Sequence, residues 1–367
     1  MATVMEKPFE QTLEAVATRT RAMNPVDRRQ KLGLFAFGME PSGQAYLSPL
    51  VAPGDVSIMP PRIELSNLAL GQLCEKVGFP RRLLAKLPPQ LNFLCINHLM
   101  QQAEEQQTLV RMVYGNHARA LLGARYTPLD DIVLFEVAAE YLQGAVVRYE
   151  SIGDLSTHLT LTWPAEKVSI QGAPGGTDTL ERGIHIMNSE VGVRAITFTS
   201  VLWRPVCTNI LPGIGFGEGD DFGYGNDGQL YRRVSRGHGR SGAHQAEEKS
   251  SWRFIHQGDL NRLKDFVRDA VADCKRRTEG LQARWQEGLQ HALGDPIKAI
   301  EDMAQVGGLT QDQLHSVLNA FADSKPFFGS SVTGVANAFT LAAQAQEEAE
   351  ARWQVQTLGM TALVSLN

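Results

Sequence analysis

The stretch "IHIMNSEVGVRAITFTSVLWRPVCTNI", residues 184–210, decides how the chain is read. Val, Ile, Thr, Phe and Trp crowd both halves and alternate with polar residues, the pattern of half-buried β-strands. The spacing predicts two long strands around a polar tight turn. Asn188, Ser189 and Glu190 fall at the turn, and Cys207, Thr208 and Asn209 at the end of the second strand. Such residues can do chemistry, hold a metal, or tie the backbone with side-chain hydrogen bonds. The last reading is the expectation here, with Glu190 the best candidate for a site carboxylate.

Working outward, "TLVRMVYGNHARALLGARY" (108–126) places two apolar runs around Gly115-Asn116, which is hairpin chemistry. "GAVVRYESIGDLSTHLTLTWPA" (144–165) supplies further strands. Between them "TPLDDIVLFEVAAEYL" (127–142) switches to a helical period. Thr127 is the expected N-cap, Pro128 the first helical residue, and Asp130 the partner in a Thr-x-x-Asp capping box. Asp130 and Asp131 are therefore read as helix-start residues before they are read as catalytic carboxylates.

Leu70, Leu73, Cys74 and Val77 recur at helical spacing and stop at Gly78 and Pro80, and a second helical run divides at Pro88-Pro89. Residues 1–60 show one short amphipathic helix and then turn formers. A long helix is expected over 250–293, with Leu260, Leu263, Val267, Ala270 and Cys274 forming a seam for a partner chain. The whole reads as α+β: a central antiparallel sheet of β-hairpins, interleaved helices, a long helix and a helical C-terminal region. Three segments follow, a poorly patterned 1–60, an α+β core over 61–245 and helices over 246–367.

Composition narrows function. A chain of 367 residues with 43% hydrophobic content can bury a sizeable core. Net charge −5 argues against a histone-like duplex binder but leaves room for a local basic groove. No run approaches 18 apolar residues, and Glu6, Glu10 and Glu14 occupy the place where a secretion signal needs an apolar centre, so a cytoplasmic protein is expected. Cys74, Cys95, Cys207 and Cys274 make no C-x-x-C pair and read as buried free thiols.

"GYGNDG" (223–228) matches G-x-G-x-x-G, yet Asp220, Asp221 and Asp227 would repel a phosphate, so the surrounding Gly-rich run (213–228) reads as a flexible surface loop. No P-loop and no H-E-x-x-H occur, and no cofactor is expected. His185 reads as a hydrogen-bonded strand residue, and Cys207 as a packed thiol rather than a nucleophile.

The arginines carry the functional expectation. Arg111, Arg119 and Arg125 belong to the first hairpin, Arg148 to the second, Arg194 and Arg204 to the third, and Arg232, Arg233, Arg236 and Arg240 follow. On a shared face they would offer forked, permanently charged donors to phosphates. Interleaved Tyr114, Tyr126, Tyr149 and Trp203 could stack unpaired bases. The competing reading pairs the arginines with the forty carboxylates of the chain.

"ARALLGARYTPLDD" (118–131), "IMNSEVG" (186–192) and "VCTNI" (206–210) resemble the signature blocks of a family of phage- and plasmid-like proteins known as domain of unknown function 932. "VGFPRRLLAKLPPQL" (77–91) and "VANAFTLAAQ" (335–344) are similar to its entry and closing helices. Ile210 departs from the family pattern, which commonly has Gly there. The order of hairpins and helices also resembles that of phage single-strand annealing proteins. The resemblance implies a homo-oligomeric, mobile-element protein that binds single-stranded DNA and promotes annealing or recombination without hydrolysis. Two alternatives remain open: a metal-dependent nuclease or hydrolase using Glu190 with Asp130, Asp131 or Asp154, and a protein-interaction or counter-defence module.

Overall fold

A computed structural model describes residues 6–50, 62–173, 176–205, 209–212, 222–224, 230–232, 251–254, 256 and 260–366. The first half of the chain gives β1 (Lys7–Pro8), α1 (Phe9–Met23), β2 (Val26–Lys31), β3 (Phe35–Met39), β4 (Ala45–Pro49), β5 (Ile63–Leu65), α2 (Asn67–Lys76), α3 (Pro89–Gln102), β6 (Gln107–Val113), β7 (His117–Gly123) and α4 (Asp131–Ala139). The strand-rich middle follows with β8 (Val146–Ile152), β9 (Thr157–Ala173), β10 (Gly176–Asn188), β11 (Ile196–Arg204), β12 (Asn209–Pro212), β13 (Phe222–Tyr224), β14 (Leu230–Arg232) and β15 (Ser251–Phe254). Helices α5 (Leu260–Gln290), α6 (Pro296–Val306), α7 (Gln311–Phe328), α8 (Val332–Ala342) and α9 (Ala349–Ser365) close the chain.

The class is α+β, as the alternation predicts, and the hairpin strands divide between two sheets. The larger has the order β1-β8-β9-β10-β11-β12, with β15 also pairing β11. The smaller has the order β2-β6-β7-β5-β4-β3, antiparallel except for the β5–β7 pair. The N-terminal segment is better built than its turn-rich composition suggests, since it contributes α1 and strands to both sheets. Short strands there carry too few alternations to stand out in sequence. Strands β13 and β14 form a small ribbon within the Gly-rich region; the rest of that region lies outside the described residues.

One face of the large sheet is apolar. Leu159, Leu161, Ile184, Ile186 and Phe198 pack there against Leu134 and Phe135 of α4 and Leu263, Phe266, Val267, Ala270 and Cys274 of α5. Removing one such side chain from water contributes about 1.5–3 kcal/mol. The predicted partner-facing seam of the long helix is thus an internal contact. A row spaced three and four apart fits a sheet as well as a second helix, and of its members Leu260 alone is exposed (47%).

The opposite face is polar, with His158, Thr160, Thr162, His185 and Thr199 all buried. Helix α9 lies over it, and Trp353 joins Tyr149, Val201, Trp203 and Ile210 at its margin. The small sheet buries Phe37, Leu47, Ile63, Met112 and Leu121 against α2 and α3. Its β3 edge is blunted by Asn97, whose side chain accepts from the Phe37 N–H (2.9 Å) and donates to the Phe37 carbonyl (2.9 Å). Among the described residues no helix is long and apolar enough to cross a membrane.

Local starts and stops follow side-chain chemistry. Ser66 caps α2 by accepting from the Ala69 N–H at 3.0 Å, and Gly78 ends it with φ +73°. Helix α4 corrects the expected capping box. It begins at Asp131 with Asp130 as N-cap, and Asp130 makes no side-chain cap bond because an arginine claims its carboxylate.

Candidate nucleic-acid interface

The Asn188-Ser189-Glu190 triplet is neither a tight turn nor an exposed one. Strand β10 ends at Asn188 and β11 resumes at Ile196, so residues 189–195 form a connection that reaches across to the small sheet. All three residues are buried, Glu190 being 5% exposed. Burial without partners would be costly, and the surroundings supply them. Glu190 Oε2 accepts from Arg119 Nη1 on β7 (2.7 Å), and Oε1 accepts from the Asp131 backbone N–H at the start of α4 (3.0 Å). The Glu190 carbonyl accepts from Arg111 on β6.

Asn188 donates to the Asp131 carboxylate (2.9 Å) and the Leu129 carbonyl (3.1 Å), while its own side-chain oxygen accepts from His256 Nε2 (2.9 Å). Ser189 donates to the Leu155 carbonyl at 2.6 Å. Thr157 completes the set by donating to Asp131 at 2.5 Å. The motif is a polar keystone between the two sheets and α4.

This keystone accounts for much of the arginine pattern. Arg111 is buried and paired with Asp27 (2.8 Å) and Asp130. Arg119 pairs with Glu190, and its Nη2 donates to the Asp154 carbonyl (3.0 Å). Arg148 pairs with Glu181 (2.7 Å) and Glu6 (3.3 Å), and Arg194 with Glu350. Arg204 stacks over the Phe328 ring.

The expected common row of phosphate donors is therefore corrected for Arg111, Arg148 and Arg194. The Arg111 and Arg148 guanidinia are buried where leaving them unpaired would be expensive, Arg194 is partly exposed, and a carboxylate from another segment meets each of the three. Tyr126 is corrected as a stacking platform as well. Its hydroxyl donates to the Ser189 carbonyl (3.0 Å) and its ring stacks on His256. Arg125 is exposed. Arg232 ends β14, and Asn209 begins β12 opposite Arg204. Cys207, Thr208, Arg233, Arg236 and Arg240 lie outside the described residues.

The carboxylates proposed for metal chemistry do converge, but their oxygens are already engaged. Both oxygens of Glu190 and both of Asp131 accept protein hydrogen bonds, and Asp130 is bound to Arg111. Asp154 stands apart at the surface, paired with Arg19. Among the described residues no group of three His, Cys, Asp or Glu could hold a metal ion.

Ionisation follows the same contacts. Burial raises Glu190, but the Arg119 hydrogen bond, the Asp131 N–H and the two arginine charges outweigh it, and the net shift is downward. Asp131 goes the other way, to about 6, through burial first and the Glu190 charge second. His256 falls to about 4 because it is buried and faces Arg111.

Asp131 has a testable sign. Its folded value lies above the unfolded value of 3.8, so its proton stabilises the fold fully below 3.8, and that contribution is lost as pH rises through 6. Asp131→Asn should therefore gain stability relative to the native protein as pH rises from roughly 4 to roughly 6 and keep that gain above it, measured by urea unfolding. Parallel pH profiles for the two proteins would contradict the assignment.

Beside the keystone lies a cleft of about 270 Å³, open to solvent. Tyr114 from the β6–β7 turn, His117 and Arg119 of β7, Asp154 and the first residues of α2 (Asn67, Leu68) line it. Tyr114 is 67% exposed and has φ +53°, and Gly115 follows at +87°. Left-handed backbone costs a non-glycine residue roughly 1–2 kcal/mol, and it is held here by the Tyr114 N–H donating to the Met23 carbonyl (2.8 Å). The result is an aromatic ring presented to solvent at the mouth of a cleft with a fixed guanidinium in its wall.

Compared with protein-family models, with characterised proteins and with solved structures, the chain matches none of them.

Sequence reasoning selected Tyr114 and Arg119 but missed His117, Asn67 and Leu68. Ser66 as an N-cap before an apolar helical run was the available signal for Asn67 and Leu68. Nothing local marked His117, whose place depends on the parallel pairing of Glu64 with it. His256 was also missed, since its partners lie at Asn188 and Tyr126.

Proposed function

We propose that the protein binds single-stranded nucleic acid, DNA being the expected form, and promotes strand pairing in a mobile-element setting without hydrolysing it. The observation that carries this reading is the cleft in which exposed Tyr114 stands beside Arg119 and His117. An unpaired base stacks on an aromatic ring for about 1–3 kcal/mol whatever its identity, and a fixed arginine offers a phosphate its remaining donors. The volume suits one base or one phosphate rather than a length of strand, so the cleft acts as an anchor point. A cytoplasmic protein that assembles with itself belongs to the same proposal. Self-assembly needs a surface other than the α5 seam, which is internal.

Titrating labelled single- and double-stranded oligonucleotides by anisotropy, with light scattering alongside, tests the proposal. Tyr114→Ala should weaken single-strand binding about 5- to 150-fold, the equivalent of one lost stacking contact, with thermal stability little changed because the ring is exposed. Absence of single-strand binding, or equal affinity in the variant, would overturn the reading. Oligonucleotide cleavage with magnesium that Glu190→Gln abolishes in a folded protein would favour the nuclease instead.

A further inference from the structure

The polar face of the large sheet carries a second buried cluster, away from the keystone and independent of the nucleic-acid reading. His158 on β9 and His185 on β10 are both fully enclosed. His158 Nδ1 lies 3.4 Å from His185 Nε2, His158 Nε2 lies 3.0 Å from Glu350 Oε1 on α9, and His185 Nδ1 lies 2.8 Å from Thr160 Oγ1. The Trp353 ring of α9 stacks on His185 at 3.9 Å. Arg194 holds Glu350 through both its Nε (2.6 Å) and its Nη2. The other charged or titratable groups facing the pair are Arg352 on α9, whose guanidinium lies over the ring of Tyr149, and Tyr149 on β8.

Hydrogen-bond chemistry fixes the direction of this chain. Ionised Glu350 can only accept, so His158 Nε2 carries a proton. In the neutral state His158 Nδ1 must then accept from His185 Nε2–H, and His185 Nδ1 accepts from the Thr160 hydroxyl. One extra proton can be taken up at His158 Nδ1 if His185 changes tautomer and the Thr160 hydroxyl turns round. A second cannot, because two N–H groups would then meet head to head, with Arg194 and Arg352 adding like charge.

We propose that the Thr160–His185–His158–Glu350 chain is an acid-released latch that holds the first turns of α9 on the polar face of the large sheet. The seat is poised for release, since Arg352 Nε and Gln356 Nε2, both buried in those turns, have no hydrogen-bond partner among the described residues. Ionisation agrees in sign. Burial, then His158, then the arginines hold His185 well below its ordinary value, so the latched state loses stability as pH falls below 6.5. Glu350 is raised by burial but drawn down to about 2 by His158 and Arg194, so it stays charged through that window.

Hydrogen-exchange mass spectrometry on the full chain, corrected for the intrinsic pH dependence of exchange, reads the latch directly. Protection of residues 348–356 should fall by up to about tenfold per pH unit below roughly 6.5, while the α5 core stays protected. His185→Gln provides an amide donor group, a carbonyl acceptor and no titrating group, and should remove the pH dependence. Glu350→Gln, which loses the arginine pair, should leave the same residues poorly protected already at neutral pH. Unchanged protection in the native protein, a fall shared by the whole fold, or the same fall in His185→Gln would each overturn the proposal; should His185→Gln fail to fold, native-level protection in Glu350→Gln at neutral pH would overturn it.

Discussion

Glu190→Ala should lower the unfolding free energy by about 3–5 kcal/mol, the loss expected when one partner of a buried ion pair is removed. The substitution strands two donors at once. Arg119 Nη1 loses its carboxylate, and the Asp131 N–H at the start of α4 loses its acceptor. The Asp131 N–H is buried, and Arg119 is held at the wall of the cleft with most of its side chain covered. Glu190→Gln keeps an acceptor for the Asp131 N–H but not the charge for Arg119, and should fall between the native protein and the alanine variant. Pairing Glu190→Leu with Arg119→Met removes both charges and should recover part of the loss. Urea unfolding with matched m-values measures all of these. A loss below about 1 kcal/mol for Glu190→Ala would refute the keystone description.

Arg111→Met should be comparably severe, again about 3–5 kcal/mol, because it leaves Asp27 and Asp130 facing each other across β2 and the α4 entry without their shared cation. Three directions are served at once by the Arg111 fork: two carboxylates and the Glu190 carbonyl. Lysine supplies the charge but not the planar fork, so Arg111→Lys should recover only part of the loss. Where the variant is still folded, its affinity for single-stranded oligonucleotides should equal that of the native protein. A selective loss of binding with intact stability would return Arg111 to the interface.

These two residues also show where the sequence is readable and where it is silent. Alternation within 144–165 and 184–204 carried enough periods to show strands, though not how far β9 and β10 extend between them, and Gly78 and the Pro88-Pro89 pair marked real helix boundaries. Pairings distant in sequence left no local trace. Arg111 meets Asp27 across 84 residues, and Arg119 meets Glu190 across 71. A polar triplet between strands reads as solvent-facing until the segment that covers it is known. Helix α5 posed the same difficulty in reverse, since its apolar row does not say whether a sheet or another chain receives it.

The path of the chain has a consequence for synthesis. It starts on the large sheet, where β1 pairs with β8, leaves to supply all six strands of the small sheet by Gly123, and then returns. The small sheet can close as soon as that residue leaves the ribosome. Strand β1 and α1 must wait for partners more than a hundred residues later, Lys7 pairing with Val147. At roughly 5–20 residues per second, that wait lasts on the order of 10 seconds. During it the α1 face bearing Phe9 and Val16 is uncovered, and chaperone capture of nascent chains should peak there.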